Sequence, residues 1–419
     1  MMVSLARKNL LEDIPRFLVA QAGILFAVSL VTLQTGIFSG FSESTVTLIN
    51  NSSAALWITS DDLVQLELTL PIPLSELIKA RNVEGVARAE GLLFTGAQWY
   101  PPEGEMARSR IVGFNPSGEL YHPPEILKGE LSQLQEPYQV MIDRTDQDSL
   151  NVKKLGTQVQ VNALPAEVVG LTEGNASMIS NPFVLTSLQN ANAYLRAGQT
   201  SQLDCRLPQG SSQLECVNRF EARRGEDALV EAPPTPRGLV ASDLVTFILV
   251  QPEAGVELAT LRERLETELN QVRVYTQEEL IQKTQAYWQQ RTGIGLILGL
   301  GTVVGVVVGI VVVSQILYSS VSDHIREFGT LKAMGASAGM IYRVIIEQAL
   351  WMAVLGYLPA MILCLGIASW INWQQGTLLL ITPTSAIAIF VVTIIMCIGS
   401  AMFAIQKVNR VDPAIVFKA

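Results

Sequence analysis

Histidine is nearly absent from this sequence, with 2 in 419 residues. His122 stands in YHPPE and His324 in a short charged stretch, and neither has the neighbours that metal binding or acid–base catalysis requires. No G-x-x-x-x-G-K-[ST] phosphate loop occurs, so the chain is not expected to hydrolyse nucleotides itself. H-E-x-x-H and G-x-S-x-G are missing as well, which removes two common hydrolase signatures. Charge is also scarce. Asp, Glu, Lys and Arg make up 16% of the chain, against roughly 25% in soluble domains.

Apolar length takes the place of charge. Four segments, 17–40, 291–317, 344–371 and 378–405, are uncharged enough and long enough to cross a bilayer, for which about 20 apolar residues are needed. The exception is Glu347 near the start of the third, which is expected at the membrane interface. The first apolar run exceeds the roughly 7–15 residues of a signal-peptide core, and no A-x-A site follows it, so it reads as a retained helix. Acidic residues and broken helices at mid-membrane, the marks of an ion-coupled carrier, are not evident; Gln21, Gln34 and Gln315 are the long polar groups of the first two spans.

Lysine and arginine set the expected orientation. Arg7, Lys8 and Arg16 precede the first span, Arg326, Lys332 and Arg343 fall in the loop 318–343, and Lys407, Arg410 and Lys418 fall in the tail 406–419. The small loop 372–377 has none. Both termini and the 318–343 loop are therefore expected in the cytoplasm, and residues 41–290 on the other side. The inside pieces, with Glu347, carry 9 basic and 6 acidic residues, whereas the large domain, with Arg291, carries 20 basic and 32 acidic. So acidic a domain disfavours nucleic acid as a partner. The fold class follows: an integral membrane protein with four transmembrane helices, N-in and C-in, and a large mixed α/β domain between helices one and two.

Within that domain, 54–60, 108–116, 138–144, 157–163, 166–172 and 244–252 read as strands, and 74–83 and 257–272 as helices with apolar residues three and four apart. Residues 204–238, rich in Pro, Gly, Ser and charge, read as an exposed insertion. Inside it, Cys205 and Cys216 bracket a turn-rich stretch on the oxidising side and are expected to form a disulfide. No metal site is expected. Cys364 and Cys397 fall within membrane spans and read as small packing residues. Residues 1–16 begin with an amphipathic pattern of Val3, Ala6, Leu10 and Ile14, suited to the inner membrane surface.

The helix at 276–293 is expected to run straight into the second span, with Tyr287 and Trp288 at the outer interface. In that span Gly301, Gly305 and Gly309 recur every four residues, and Gly295 and Gly299 make a second small pair. Such spacing lets helix backbones approach closely, with either span one or the same helix of a second copy as partner. Between spans two and three lies SSVSDHIREFGTLKAMGASA, where Ile325, Phe328 and Leu331 form an apolar ridge and Gly329 predicts a break. Such a ridge suits either a docking surface or a helix lying in the headgroups.

The amphipathic start LARKNLL, one span, a large outside domain and three spans ending in VNRVDPAIVFKA resemble the FtsX/MacB-like permeases of ATP-binding-cassette systems. Over 284–358 the likeness is to the DevC-type permeases of cyanobacteria: Tyr287-Trp288, Gln315–Ser319, Val321, Asp323, His324, Glu327 and Thr330–Gly335 match that pattern, as does GFNPS at 113–117. The resemblance implies that Asp323, His324, Ile325, Arg326, Glu327, Phe328, Gly329, Thr330, Leu331, Lys332, Ala333, Met334 and Gly335 form a coupling element seated on a separate ATPase. It further implies a homodimer in the bacterial inner membrane with the large domain in the periplasm. No cofactor is expected on this chain, with ATP and magnesium on a DevA-like ATPase subunit. A DevB-like membrane-fusion adaptor and, indirectly, a TolC-like outer-membrane channel complete the implied export machine, whose substrate would be a glycolipid or another hydrophobic compound. Two relatives share the layout and remain alternatives: an FtsX-like scaffold that activates a cell-wall hydrolase, and a LolCE-like permease that extracts lipoproteins.

Overall fold

The computed structural model describes residues 14–175, 180–197, 201–206, 215–220, 235–323, 338–375 and 379–409. The amphipathic segment expected before the first span lies outside them up to residue 13, and the tail from residue 410 does so too. Helices of seven residues or more among the described residues are α1 (Ile14–Ser44), α2 (Leu74–Ala80), α3 (Leu188–Arg196), α4 (Leu258–Glu268), α5 (Gln277–Thr292), α6 (Ile294–Asp323), α7 (Ala338–Gln375) and α8 (Pro383–Asn409). The chain forms two compact units, one of residues up to Gly40 and from Thr292 onward, the other of Phe41–Arg291.

The first unit is helical. Four helices are long and apolar enough to cross a membrane, over Phe17–Ser44, Ile294–Ser319, Tyr342–Trp373 and Pro383–Phe403. A bilayer offers no partner to backbone N–H and C=O groups, so segments this apolar close their hydrogen bonds internally as helices. Their buried faces meet in one cluster that includes Ala20, Ile24, Ala27, Val313, Ile345, Ala353 and Cys397. Cys364 is buried as well, in keeping with both membrane cysteines as packing residues. Glu347 in α7 is half-buried.

One helix expected from the sequence is two. The stretch read as running straight into the second span stops at Thr292, and Gly293 takes φ +63° before α6 begins at Ile294. Glycine alone adopts this left-handed backbone without strain, which makes it a natural helix stop.

The second unit is a mixed sheet with helices. Its strands are β1 (Leu56–Ser60), β2 (Ile72–Pro73), β3 (Val86–Tyr100), β4 (Ala107–Phe114), β5 (Glu125–Lys128), β6 (Gln139–Asp143), β7 (Gln158–Val161), β8 (Leu164–Glu173), β9 (Phe183–Ser187), β10 (Ser201–Arg206), β11 (Glu215–Phe220), β12 (Leu244–Val245), β13 (Phe247–Pro252) and β14 (Val272–Thr276). Ten form one sheet in the order β14-β1-β13-β3-β4-β9-β6-β8-β5, with β7 bridging β3 and β8. The pairs β4–β9 and β6–β8 are parallel and the others antiparallel. One buried cluster gathers Leu77, Trp99, Tyr194 and Leu261 with the sheet, and a second gathers Trp57, Phe114, Tyr121 and Phe247. Trp57 meets Phe247 edge to face, ring centroids 5.4 Å apart, the preferred geometry for two quadrupoles.

β3 has 15 residues and changes partners along one edge. β13 pairs with Val86–Leu92, and β7 pairs only with Trp99 and Tyr100. Thr246, just before β13, continues the ladder with its side chain: Phe94 N donates to Thr246 Oγ1 at 2.8 Å, and that hydroxyl donates to Phe94 O at 2.9 Å. Further along, Gln98 N donates to Asn162 Oδ1 at 2.9 Å, and Asn162 N donates to Gln98 O at 2.8 Å. Between these two substitutes, Thr95–Ala97 have a gap in the sheet on that edge.

Elements expected at 54–60, 108–116, 138–144, 157–163 and 166–172 occur as β1, β4, β6, β7 and β8, and the helices at 74–83 and 257–272 as the shorter α2 and α4. The strand expected at 244–252 is interrupted at Thr246. Neither β3 nor β9 was expected. Gly91 and Gly96 within β3, and the short run FVLTS of β9, mask the strand pattern.

Candidate functional site

The segment expected to couple to an ATPase begins at Asp323, the last residue of α6. His324, Ile325, Arg326, Glu327, Phe328, Gly329, Thr330, Leu331, Lys332, Ala333, Met334 and Gly335 lie outside the described residues, which resume at Ala338, the first residue of α7. The segment thus joins two helices that each carry a membrane-crossing stretch.

Within the described residues, Gly301, Gly305 and Gly309 of α6 have neighbours on α1, one of the two partners left open by sequence. A Cβ at Gly301 would collide with the Gln34 amide, and one at Gly305 would come within 3.2 Å of Val31 Cγ2. At Gly309 it would come 2.9 Å from the Ala27 Cβ and would collide with Met396. This face therefore packs against α1, with α8 beside it. Gly295 makes only an ordinary 3.6 Å contact with Phe38, and Gly299 has nothing within 4 Å, so the second small pair takes no part in close packing among the described residues. Polar groups lock the same seam. Thr302 Oγ1 lies 3.3 Å from Gln34 Oε1, and Ser400 Oγ in α8 donates to Ile310 O of α6 at 3.0 Å. The opposite stripe of α6 (Leu296, Leu300, Val303, Val307 and Val311) is exposed.

Cys205 and Cys216 fall on β10 and β11, a separate two-stranded antiparallel sheet in which they are direct partners. The remainder of the insertion, 207–214 and 221–234, lies outside the described residues.

Sequence reading missed the buried charges that brace the large domain. Glu90, 7% exposed, accepts from Glu119 N at 2.9 Å and Leu120 N at 3.2 Å, and so holds the turn that follows GFNPS. Asp243, 3% exposed by side chain, pairs with Arg196 and Arg237 and accepts from Val240 N at 2.8 Å. Asp143 is fully buried; it accepts from Thr145 N at 3.0 Å, Thr145 Oγ1 at 2.7 Å and Asn175 N at 2.8 Å. Asp146, just beyond, has a buried Oδ2 without a hydrogen-bond partner among the described residues. Burial, reinforced by the charge of Asp143, pushes its carboxyl up to about 7. Glu90, Asp143 and Asp243 had no full sequence signature, because each is completed by a group far along the chain: Glu119 and Leu120 N for Glu90, Asn175 N for Asp143 and the Arg196 guanidinium for Asp243. Among the described residues no group of three or more His, Cys, Asp or Glu could hold a metal ion.

Comparison with known proteins places both units. Residues 17–268, more than half the chain, match the MacB-like periplasmic core domain, and residues 297–413 match the FtsX-like permease C-terminal domain. None of the curated proteins matches. Among solved structures, the periplasmic region of MacB from Actinobacillus actinomycetemcomitans is 9% identical, with a TM-score of 0.34 over 56% of this chain and 94% of that one. The extracellular domain of the noncanonic ABC-type transporter YknZ from Gram-positive bacteria is 10% identical, with a TM-score of 0.32 over 53% of this chain and 99% of that one. A domain of a putative permease protein from Porphyromonas gingivalis is 10% identical, with a TM-score of 0.30 over 54% of this chain and 89% of that one.

Two measurements check this geometry. Gly309→Leu should overpack the seam between α6, α1 and α8 and cost about 1–3 kcal/mol, seen as a lower unfolding temperature, while Gly299→Leu should leave it nearly unchanged. Equal effects would contradict the packing. For Asp146, a raised carboxyl pKa means that the folded state holds a proton that the unfolded chain releases, so its contribution is complete below about pH 4 and fades as pH rises towards 7. Unfolding temperatures across pH 4 to 8 should therefore fall in the wild type relative to Asp146→Asn; parallel curves would refute the shift.

Proposed function

This chain belongs to the family of ABC-transporter permeases defined by the MacB-like periplasmic core domain and the FtsX-like C-terminal domain, and on that footing we propose that it is the membrane subunit of a tripartite export machine. It is a multi-pass protein of the inner membrane with its large domain in the periplasm. Permeases of this kind are normally non-catalytic and in general work with an ABC ATPase and an adaptor. In the proposed role, ATP and magnesium act on a separate DevA-like ATPase. Its motion reaches the periplasmic domain, which drives a glycolipid or another hydrophobic compound through a DevB-like adaptor towards a TolC-like outer-membrane channel.

The observation that carries this reading is the slot of the charged segment 324–337. It links two membrane helices, and its sequence spaces the apolar Ile325, Phe328 and Leu331 by three, with the charged Arg326 and Glu327 between them. On a short helix, apolar residues at that spacing would suit a groove on a partner that must push on both helices. In the proposed orientation, with both termini in the cytoplasm, this segment lies on the side where ATP is found. A homodimer fits the exposed apolar stripe of α6, whose glycine face is already taken by α1.

The hairpin of the insertion is proposed to be closed by a Cys205–Cys216 disulfide. Directly opposed residues of an antiparallel pair have Cα atoms about 4.5–5.5 Å apart, which falls within the range a disulfide spans.

Purification from the native membrane in mild detergent tests the coupling role. An ABC ATPase and a membrane-fusion adaptor are expected with the wild type, and Glu327→Arg with Leu331→Asp should lose the ATPase alone; an absent ATPase in both samples would sink the transport reading. Peptide mass mapping without reductant should recover the 205 and 216 peptides linked, and recovering them as free thiols from oxidised membranes would remove the disulfide.

A further inference from the structure

The gap in β3 opens a cleft of about 520 Å³ within the large domain, inside the range of about 300–1,000 Å³ typical of small-molecule sites. Glu67, Phe94, Gly96, Arg110, Leu195 and Arg196 are among its lining residues. The cleft exists because β13 has ended and β7 has not yet begun, so three residues of β3 face space where a neighbouring strand would lie.

Arg110 is the centre of this cleft. Its guanidinium stacks on Phe94, 5.5 Å from the ring centroid, and its Nη2 donates to Glu67 Oε2 at 3.0 Å. Stacking fixes the plane of a guanidinium and leaves its N–H edge for an acceptor. Here that edge is incomplete. Nε is buried with no acceptor among the described residues, and Nη1 makes no hydrogen bond there either. Nη1 lies beside Gly96, where even a Cβ would stay 3.7 Å away, so no side chain covers it from that position.

The local charge also calls for an anion. Arg196 and Arg237 share the single carboxylate of Asp243, and Arg110 has Glu67. These five groups leave one net positive charge, in a domain whose overall balance is strongly acidic. Phe94 and Leu195, with Leu93 and Leu244, supply apolar wall beside it.

We propose that this cleft binds a small organic anion, an acidic head carried on an apolar body, with the head bonded by Arg110 and the body against Phe94 and Leu195. Charge-assisted hydrogen bonds from a guanidinium to a carboxylate or phosphate are among the strongest available to a protein. The site does not depend on the export reading, since it is built wholly within the large domain and serves cargo or regulator alike.

Titration calorimetry on the full chain in phosphatidylcholine nanodiscs, with empty nanodiscs as baseline, tests the site. The probes are hexyl phosphate, inorganic phosphate and hexanol. Hexyl phosphate should bind saturably, one per chain, with inorganic phosphate at least about tenfold weaker and hexanol without a saturable signal. Gly96→Val, which fills the space beside Nη1, and Arg110→Met should each weaken hexyl phosphate at least about tenfold, while Arg108→Met on the exposed part of the same strand should not. In the wild type, hexyl phosphate should also shield Arg110 from phenylglyoxal modification, a readout that holds even where Arg110→Met fails to fold. Inorganic phosphate binding as tightly as the ester would overturn the need for an apolar body. Hexanol binding as well as the ester, unchanged affinity in Gly96→Val, or no shielding of Arg110 would overturn the site.

Discussion

The large domain depends on one strand that no single neighbour can satisfy. β3 is 15 residues long, while β13 and β4, which flank it, have 6 and 8 residues. β13 covers its first part on one edge and β4 its second part on the other. The backbone groups left over must find partners elsewhere, since an unpaired buried amide costs about as much as a lost hydrogen bond. Thr246 and Asn162 supply them, each imitating a strand residue. Where neither reaches, at Thr95–Ala97, the sheet is open and the cleft begins. The same strand that assembles the sheet thus also creates a recessed surface beside an incompletely bonded guanidinium.

The membrane unit rests on a different constraint. Lipid does not drive apolar helices together as water does, so close approach and a few hydrogen bonds must hold the bundle. Gly305 and Gly309 remove the side chains that would keep α6 from α1 and α8, and the contacts Thr302–Gln34 and Ser400–Ile310 add polar links across the seams. The consequence for function is a division of labour around one helix. Its glycine face is committed within the chain, and its Leu296–Val311 stripe is left for lipid or a second copy.

Legibility in the sequence followed the range of the interactions. The four spans were readable because a run of apolar residues is a local property, and so were β1, β4 and β6, whose alternating or branched residues need no distant partner to be recognised. β3 was not, because Gly91 and Gly96 break its pattern. At Gly91 the close surroundings explain the glycine, since a Cβ there would meet Val245 Cγ1 at 2.9 Å, whereas Gly96 borders the cleft and has room for one. The helix break at Gly293 was missed for the opposite reason. Both flanks favour helix, and only the left-handed φ of the glycine between them separates α5 from α6.

Composition and order of residues therefore determined that this chain is a membrane protein with a large acidic domain between its first two spans, because hydropathy and charge act through length alone. The likeness to FtsX/MacB-like permeases was also legible, since one span, a large domain and three further spans follow one another in the order of residues. Tertiary structure decided the rest. Which partner the glycines of α6 touch, which carboxylates are buried on backbone amides, and where Arg110 is left with unused donors are all matters of residues far apart in sequence. A sequence records which groups a protein owns, but hydrogen bonds are satisfied or left open only by geometry, and that geometry appears when the strands meet.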